Sequence, residues 1–179
     1  MASSYDDDYY DEDAIFMESN SRDFERRISV INKNAEVVCD FLRSHSIAGG
    51  MSSSVIKDIF YPKWITRDMY DHCRVKKSAG CDEGMDGGFG GLFSVTFTTA
   101  DASTAFYDTL SCYKGPSLGT NFTLACPYTI LAHYRELEWA AEHGVEETLV
   151  RISVGMEEKE SLLGCLAAAL QAAQATVVP

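Results

Sequence analysis

Leu92-Phe93-Ser94-Val95-Thr96-Phe97-Thr98 is the stretch of sequence that most directly indicates the fold. Phe93, Val95 and Phe97 alternate with small hydroxyl residues, which is the pattern of a β-strand with one buried face and one more polar face. Three further segments have strand composition: residues 55–61, 123–126 and 149–154. We therefore expect a sheet of few, short strands.

Helical patterns separate these strands. Apolar residues at steps of three and four predict a long helix over residues 19–45, with the following stripe: Phe24, Ile28, Ile31, Ala35, Val38 and Leu42. Thr66 is a candidate N-cap for a short helix that ends near Cys73. Later helices are predicted at about residues 102–110, 128–142 and 158–173, with Gly144 ending the second of these. The irregular order of elements predicts an α+β fold, in which helices cover a mostly antiparallel sheet.

The N-terminal residues differ in charge from the rest of the chain. The 179 residues carry a net charge of −12, and residues 1–13 contain acids but no base: Asp6, Asp7, Asp8, Asp11, Glu12 and Asp13. We expect residues 1–18 to form a disordered acidic tail and residues 19–179 to form a single domain. The charged, glycine-rich residues 76–91 predict a mobile loop inside this domain.

Composition also argues against several classes of protein. The acidic charge and the lack of a basic cluster disfavour a nucleic-acid partner and an anionic membrane surface. No apolar run is long enough to span a membrane, and the acidic start is unlike a signal peptide, so we expect a cytoplasmic protein with free thiols. His72, Cys73 and Cys81 lack the paired spacing of a metal site. The glycines around Phe89 are not followed by the Gly-Lys-Ser/Thr of a phosphate loop.

Arg151 is the most informative polar residue, because it lies in the middle of a predicted strand. Its side chain should leave the sheet on the face opposite Val150 and Ile152. A guanidinium there matches the two oxygens of a carboxylate. From the residues alone, a structural ion pair with an acid such as Glu157 or Glu158 is the more common explanation for such an arginine.

The segments Lys114-Gly115-Pro116-Ser117-Leu118-Gly119-Thr120-Asn121 and Arg151-Ile152-Ser153-Val154-Gly155 resemble the trans-sulfuration enzymes. These are the pyridoxal-phosphate (PLP)-dependent enzymes of cysteine and methionine metabolism, and the fungal cystathionine γ-synthases are the most similar. Further matching segments run collinearly from about Ser19: residues 120–124, 131–134 and 136–142. Without a resemblance, the first segment would be read only as a Pro-Gly turn before a strand.

The resemblance implies a fold, a site and a missing part. The fold is that of the C-terminal domain of fold-type I PLP enzymes. Arg151 would bind the α-carboxylate of the substrate, together with the hydroxyl and backbone N–H groups of Ser117, Leu118 and Gly119. The full-length family binds PLP through a preceding domain, and no Ser-x-Thr-Lys segment for the Schiff-base lysine is present here. We therefore expect no cofactor in the isolated chain.

Three functions follow from the resemblance as hypotheses. In the first, the chain is a truncated cystathionine γ-synthase-like protein that supplies the carboxylate-binding domain for γ-replacement or elimination on a sulfur amino acid. It would then act with a PLP-domain partner protein or as a homo-oligomer. In the second, it is a repurposed, cofactor-independent cyclase or lyase of a fungal secondary-metabolite pathway that binds a small carboxylate. In the third, it is a non-catalytic regulatory remnant.

Overall fold

The computed structural model describes residues 10–75 and 87–177. The helices in these ranges are α1 (Asp11–Ser21), α2 (Phe24–Ser44), α3 (Arg67–Cys73), α4 (Ala100–Thr109), α5 (Tyr128–His133), α6 (Leu137–Glu142) and α7 (Lys159–Ala175), with a 3-10 turn at Ile47–Gly49. The strands are β1 (Ile56–Phe60), β2 (Leu92–Phe97), β3 (Tyr113–Lys114), β4 (Leu124–Cys126) and β5 (Val150–Ser153).

The strands form one sheet in the order β1-β2-β5-β4-β3. Three of its four neighbouring pairs are antiparallel, and only β3 and β4 run parallel. β5 lies in the centre, where Arg151 is opposite Ser94 of β2 on one side and Cys126 of β4 on the other. This arrangement confirms the predicted α+β fold with a mostly antiparallel sheet.

The hydrophobic core lies on one face of the sheet. The alternating residues Phe93, Val95 and Phe97 are almost completely buried, as their spacing predicts. Helices α2, α4 and α7 contribute the other side of this core, and they pack against each other as well as against the strands. The opposite face of the central strands carries Ser94, Arg151 and Ser153, so the chemistry predicted from the sequence falls on the side away from the core.

The predicted long helix 19–45 is interrupted at Asp23. The backbone of Asp23 leaves the helical region, with φ −107° and ψ 18°, and its carboxylate binds Arg26 at 2.7 Å and also binds Arg27. Aspartate favours such helix starts because it bonds locally instead of continuing the helical pattern. The first two members of the apolar stripe, Phe24 and Ile28, are exposed, whereas the later members are buried.

The structure has a helix where the sequence predicts a disordered tail. α1 begins at Asp11 and buries none of its residues; Arg22, just beyond its end, binds Glu18 at 2.7 Å. Residues 1–9 and most of the predicted mobile loop, residues 76–86, lie outside the described residues. The division into a tail at residues 1–18 and one domain at residues 19–179 stays a prediction.

Two other helix predictions need correction. Thr66 does not cap α3, because its backbone is left-handed with φ 56° and its hydroxyl donates to the carbonyl of Ile65. The predicted helix over residues 128–142 is two short helices, α5 and α6. Glu136 breaks it, with φ −141°, and binds the His133 ring at 2.7 Å through its carboxylate. Competing side-chain bonds of this kind are invisible to hydrophobic periodicity.

Candidate carboxylate-binding site

Arg151 lies on the face of β5 that the core does not use. Its neighbours Val150 and Ile152 are buried in the core, and Arg151 itself is half-buried. This orientation follows from the alternation of side chains along a strand. The sheet therefore holds a guanidinium at its centre, on a surface that solvent still reaches.

Two groups contact the guanidinium. Its Nη2 donates a hydrogen bond of 2.5 Å to the carbonyl oxygen of Pro116, and its Cζ lies 4.8 Å from the centre of the Tyr128 ring. In residues 10–75 and 87–177, no carboxylate forms an ion pair with Arg151. The alternative predicted from the residues alone, a pair with Glu157 or Glu158, is thus not formed.

Glu157 binds elsewhere. Its carboxylate accepts hydrogen bonds from the backbone N–H of Thr123 at 2.5 Å and from the Thr123 hydroxyl at 2.8 Å. It therefore holds the start of β4 beside the chain that leaves β5. This contact explains why Glu157 is not available to Arg151.

The loop that contains Ser117, Leu118 and Gly119 is fixed to β5 at two points. The first is the bond from Arg151 to Pro116, and the second is a hydrogen bond of 2.9 Å from the Gly119 N–H to the Ser153 hydroxyl. Gly119 has φ 77°, a conformation that glycine adopts without strain. Because Arg151 and Ser153 are two residues apart on one strand, they face the same side, and the four residues predicted from the sequence lie together.

One detail of the predicted site is different. The N–H of Gly119 donates to Ser153 rather than remaining available for an anion. Ser117 and Leu118 are exposed between the two fixed points, and within the described residues the Ser117 hydroxyl has no hydrogen-bond partner. The groups that remain for an anion are therefore the hydroxyl and N–H of Ser117, the N–H of Leu118 and the unused donors of Arg151.

Gly155, which follows this strand, allows the chain to pack closely. A Cβ at this position would lie 2.4 Å from Phe122 Cα, and the Gly155 N–H donates to the Thr123 hydroxyl at 3.0 Å. Each residue of the Arg-x-Ser-x-Gly motif thus has a separate structural task. Arg151 binds Pro116, Ser153 binds Gly119, and Gly155 accommodates the segment that leads from this loop to β4.

A cleft of about 350 Å³, lined by both polar and apolar residues, borders the same loop. Its lining comes from the end of α1, from α2 and from the loop: Asn20, Phe24, Arg27, Ile28, Ile31, Gly119 and Asn121. Phe24 is 56% exposed and Ile28 is 38% exposed. The apolar stripe that the sequence assigned to a helix is therefore partly uncovered next to the candidate site.

The described lysines do not fit a PLP site. Lys114 is nearest in sequence to the loop, but its Nζ donates to the carbonyls of Leu110, at 2.8 Å, and Tyr107; burial lowers its pKa. Lys57, Lys63 and Lys159 form ion pairs with acids, and Lys33 is exposed on α2. None of these five contacts Arg151 or residues 116–119. Lys76 and Lys77 lie outside the described residues.

Other possible sites are not supported in the part of the chain that the structure describes. In residues 10–75 and 87–177, His, Cys, Asp and Glu side chains do not cluster in a way that could hold a metal ion. Across the same ranges, none of the helices combines the length and the apolar character needed to cross a bilayer.

The sequence does not indicate that Tyr128 and Pro116 belong to this site. Both contact Arg151, yet they lie 23 and 35 residues before it in the chain. The only local signal is the position of Tyr128 just after β4, at the end of a strand. The contact depends on the pairing of β4 with β5, which the sequence does not specify.

Comparison with known proteins places this geometry in a family. The model of the Cys/Met metabolism PLP-dependent enzymes matches residues 13–171. The chain is 60% identical over 178 residues to the cystathionine gamma-synthase-like enzyme iboG2 of Amanita muscaria, covering 97% of this chain and 28% of that protein. It is 43% identical over 170 residues to the cystathionine gamma-synthase of Neurospora crassa, covering 94% and 25%.

Solved structures show the same similarity. The cystathionine gamma synthase of Xanthomonas oryzae pv. oryzae, in complex with cystathionine, superposes with a TM-score of 0.68 at 26% identity, over 87% of this chain and 37% of that one. The chain thus spans less than a third of the length of the two curated relatives above. From the family match and the shared fold, we conclude that this chain belongs to the Cys/Met metabolism PLP-dependent enzyme family.

Proposed function

We propose that this domain binds the α-carboxylate of an amino-acid substrate in a cystathionine γ-synthase-like enzyme, and that a PLP-binding partner completes the active site. The observation that carries the proposal is the state of Arg151. Its guanidinium is half-buried on a sheet face, it has no carboxylate partner among the described residues, and it is held beside the exposed Ser117 and Leu118.

The unused donors of Arg151 support binding of a carboxylate. A guanidinium has five N–H donors in one plane, and Pro116 takes only one of the contacts they can make. A carboxylate accepts two parallel hydrogen bonds from such a group, and each charged hydrogen bond contributes about 1.5–3 kcal/mol. Ser117 can add a neutral hydrogen bond to the same anion.

The proposed substrate is a sulfur amino acid or its activated precursor, which undergoes replacement or elimination at the γ position. The relatives support this class, because two of them are named as cystathionine gamma-synthases and one was solved with cystathionine. In this proposal the partner supplies the lysine and the PLP, and the present chain binds and orients the amino acid. PLP would supply the electron sink for the reaction.

Exposed apolar surface supports the proposed partner. The cleft beside the loop and the uncovered residues Phe24 and Ile28 adjoin the site, and exposed apolar surface of this kind often marks an interface. The partner in this proposal is a PLP-domain protein or a second copy of the chain. Light scattering of the purified chain tests the second case, because a monodisperse monomer would exclude a homo-oligomer.

Complementation tests the function directly. The chain is co-expressed with the part of the Neurospora crassa enzyme that lies outside the matched segment, and PLP-dependent turnover of the amino-acid substrate is measured. We expect restored activity, and we expect Arg151→Lys to raise the KM for the amino acid by about tenfold to a hundredfold. Arg26→Lys is the control, since Arg26 is exposed on α2 and, among the described residues, its ion-pair partner is Asp23.

The result also separates the two alternatives. Turnover of a carboxylate ligand by the chain without PLP and without a partner would favour a repurposed cyclase or lyase. Binding to an intact relative that changes its rate, without any rescue of the incomplete enzyme, would favour a regulatory role. An Arg151→Lys enzyme with an unchanged KM would refute the role proposed for Arg151.

A further inference from the structure

Tyr128 lies at a position that the pairing of two strands determines. It begins α5, two residues after Cys126, and Cys126 is opposite Arg151 in the sheet. The centre of the Tyr128 ring is 4.8 Å from Arg151 Cζ, and Pro116 accepts a 2.5 Å hydrogen bond from Arg151 Nη2. The guanidinium is thus contacted by an aromatic ring and by one carbonyl.

We infer that Tyr128 is a positioning residue that fixes the plane of the Arg151 guanidinium for carboxylate binding, an inference that rests on the proposed function. The donors of a guanidinium point outward within its plane, whereas the favourable site for an aromatic ring is its face. A ring can therefore hold the group without using a hydrogen bond. Pro116 removes the remaining rotation by accepting from Nη2.

The ring is itself held in place. Thr129, the next residue, is completely buried, and its hydroxyl donates to the carbonyl of Glu146 at 2.7 Å. The Tyr128 ring also meets the edge of the His133 ring, at 5.8 Å and 71°, and His133 binds Glu136 at 2.7 Å. These contacts all join residues of this chain, so they can set the orientation of Arg151 before binding and reduce the entropy lost on binding.

The test is a titration of the full chain followed by NMR. The probes are L-homoserine and 3-aminopropan-1-ol, which has the same amine and hydroxyl but lacks the carboxylate. We expect the wild type to prefer L-homoserine. Tyr128→Leu and Tyr128→Met should weaken L-homoserine binding about threefold to tenfold, while Tyr128→Phe should stay within about twofold of the wild type, because the ring and not the hydroxyl holds Arg151.

A double-mutant comparison separates positioning from a general loss of structure. In an Arg151→Gln background, Tyr128→Leu should have no further effect on L-homoserine binding, because the group that it orients is gone. In the wild-type background, Tyr128→Leu should also shift the Arg151 Nε–H resonance. Thermal melts identify any variant that does not fold, and the second apolar variant, Tyr128→Met, then provides the measurement.

The outcomes distinguish this inference from the proposed function. If Arg151→Lys weakens L-homoserine binding but both apolar variants of Tyr128 bind as the wild type does, the positioning role is refuted and the proposed function stands. If the wild type does not discriminate between the two probes, or if Arg151→Lys has no effect, both fail. An equal loss on Tyr128→Leu in the Arg151→Gln background would show that Tyr128 acts on structure alone.

Discussion

Replacing Gly155 by alanine should destabilise the protein, although the same change usually has little effect or stabilises. A Cβ at Gly155 would lie 2.4 Å from Phe122 Cα, 2.5 Å from Phe122 C and 2.6 Å from Asn121 O. All three atoms belong to the backbone, so no side chain can rotate away. The segment would have to move by about 1 Å, the difference between 2.4 Å and the 3.4 Å at which ordinary contact begins.

The expected magnitude follows from two opposing effects. Overpacking of a well-packed site costs about 1–3 kcal/mol. Movement of Phe122 would also strain the hydrogen bonds from Gly155 N–H to Thr123, at 3.0 Å, and from Met156 N–H to the Asn121 carbonyl, at 2.8 Å. Alanine also gives the unfolded chain less conformational freedom than glycine does, which stabilises the folded protein by about 0.4–1 kcal/mol. We expect Gly155→Ala to lower the free energy of unfolding by about 1–2 kcal/mol.

Gly164 provides a matched control. It lies exposed in the middle of α7, and a Cβ there meets nothing within 4 Å. Gly164→Ala should therefore stabilise the protein by about 0.5–1 kcal/mol through helix propensity. Urea unfolding followed by circular dichroism measures both variants under the same conditions. If Gly155→Ala proved as stable as Gly164→Ala, the close approach of Phe122 to β5 would be refuted.

Three other predictions concern stability, pH and the cofactor. Asn34→Ala should lower the free energy of unfolding by about 1–3 kcal/mol, because the buried side-chain amide donates to the Gly155 carbonyl at 3.2 Å and to the Glu157 carbonyl at 2.9 Å. Lys33→Ala is the control: Lys33 is an exposed neighbour, and its replacement should change the free energy of unfolding by less than about 0.5 kcal/mol. Urea unfolding measures both. The hydrogen bond from Arg67 lowers the pKa of Asp71, with a further contribution from Arg74. The stability that these ion pairs provide is therefore present above the ordinary aspartate range and is lost as the pH falls through the lowered pKa. Thermal melts of the wild type and of Asp71→Asn should converge toward low pH, and a gap that widens would contradict this. Incubation of the chain with PLP and borohydride should label no single lysine stoichiometrically by mass spectrometry, since the described lysines do not fit the cofactor; one fully labelled lysine would be the opposite result.

The sequence predicts four of the five strands in the described residues and the buried face of the sheet, because short-range periodicity indicates both; the two-residue strand β3 is too short to show a pattern. Two patterns indicate which side of an element faces the core. One is the alternation of Phe93, Val95 and Phe97 on β2, and the other is the spacing of apolar residues on α2 from Ile31 onward. Errors occur where one polar side chain competes with the backbone. Asp23 and Glu136 interrupt helices through bonds to Arg26 and His133, and hydrophobic patterns carry no information about such bonds.

The sequence predicts some members of the candidate site, but not Tyr128 or Pro116 and not the contacts between the residues. The motif resemblance identifies Ser117, Gly119 and Arg151, and the structure brings them together on one face of β5. The sequence does not show that Gly119 uses its N–H for Ser153, because that bond depends on how the loop crosses the sheet. The two hydrogen bonds of this site join residues 34 and 35 positions apart, and only the strand order brings such distant residues together.

The position of Arg151 in the sheet explains why one strand can serve both the core and a binding site. On β5, Val150 and Ile152 complete the core with α4 and α7, while Arg151 and Ser153 hold the loop on the other face. A one-residue slip of β5 against β2 and β4 would exchange these faces and bury the guanidinium without a partner, at a cost of several kcal/mol. The charge of Arg151 and the burial of Val150 and Ile152 therefore favour the same register of the central strand, and this register keeps the guanidinium on the open face.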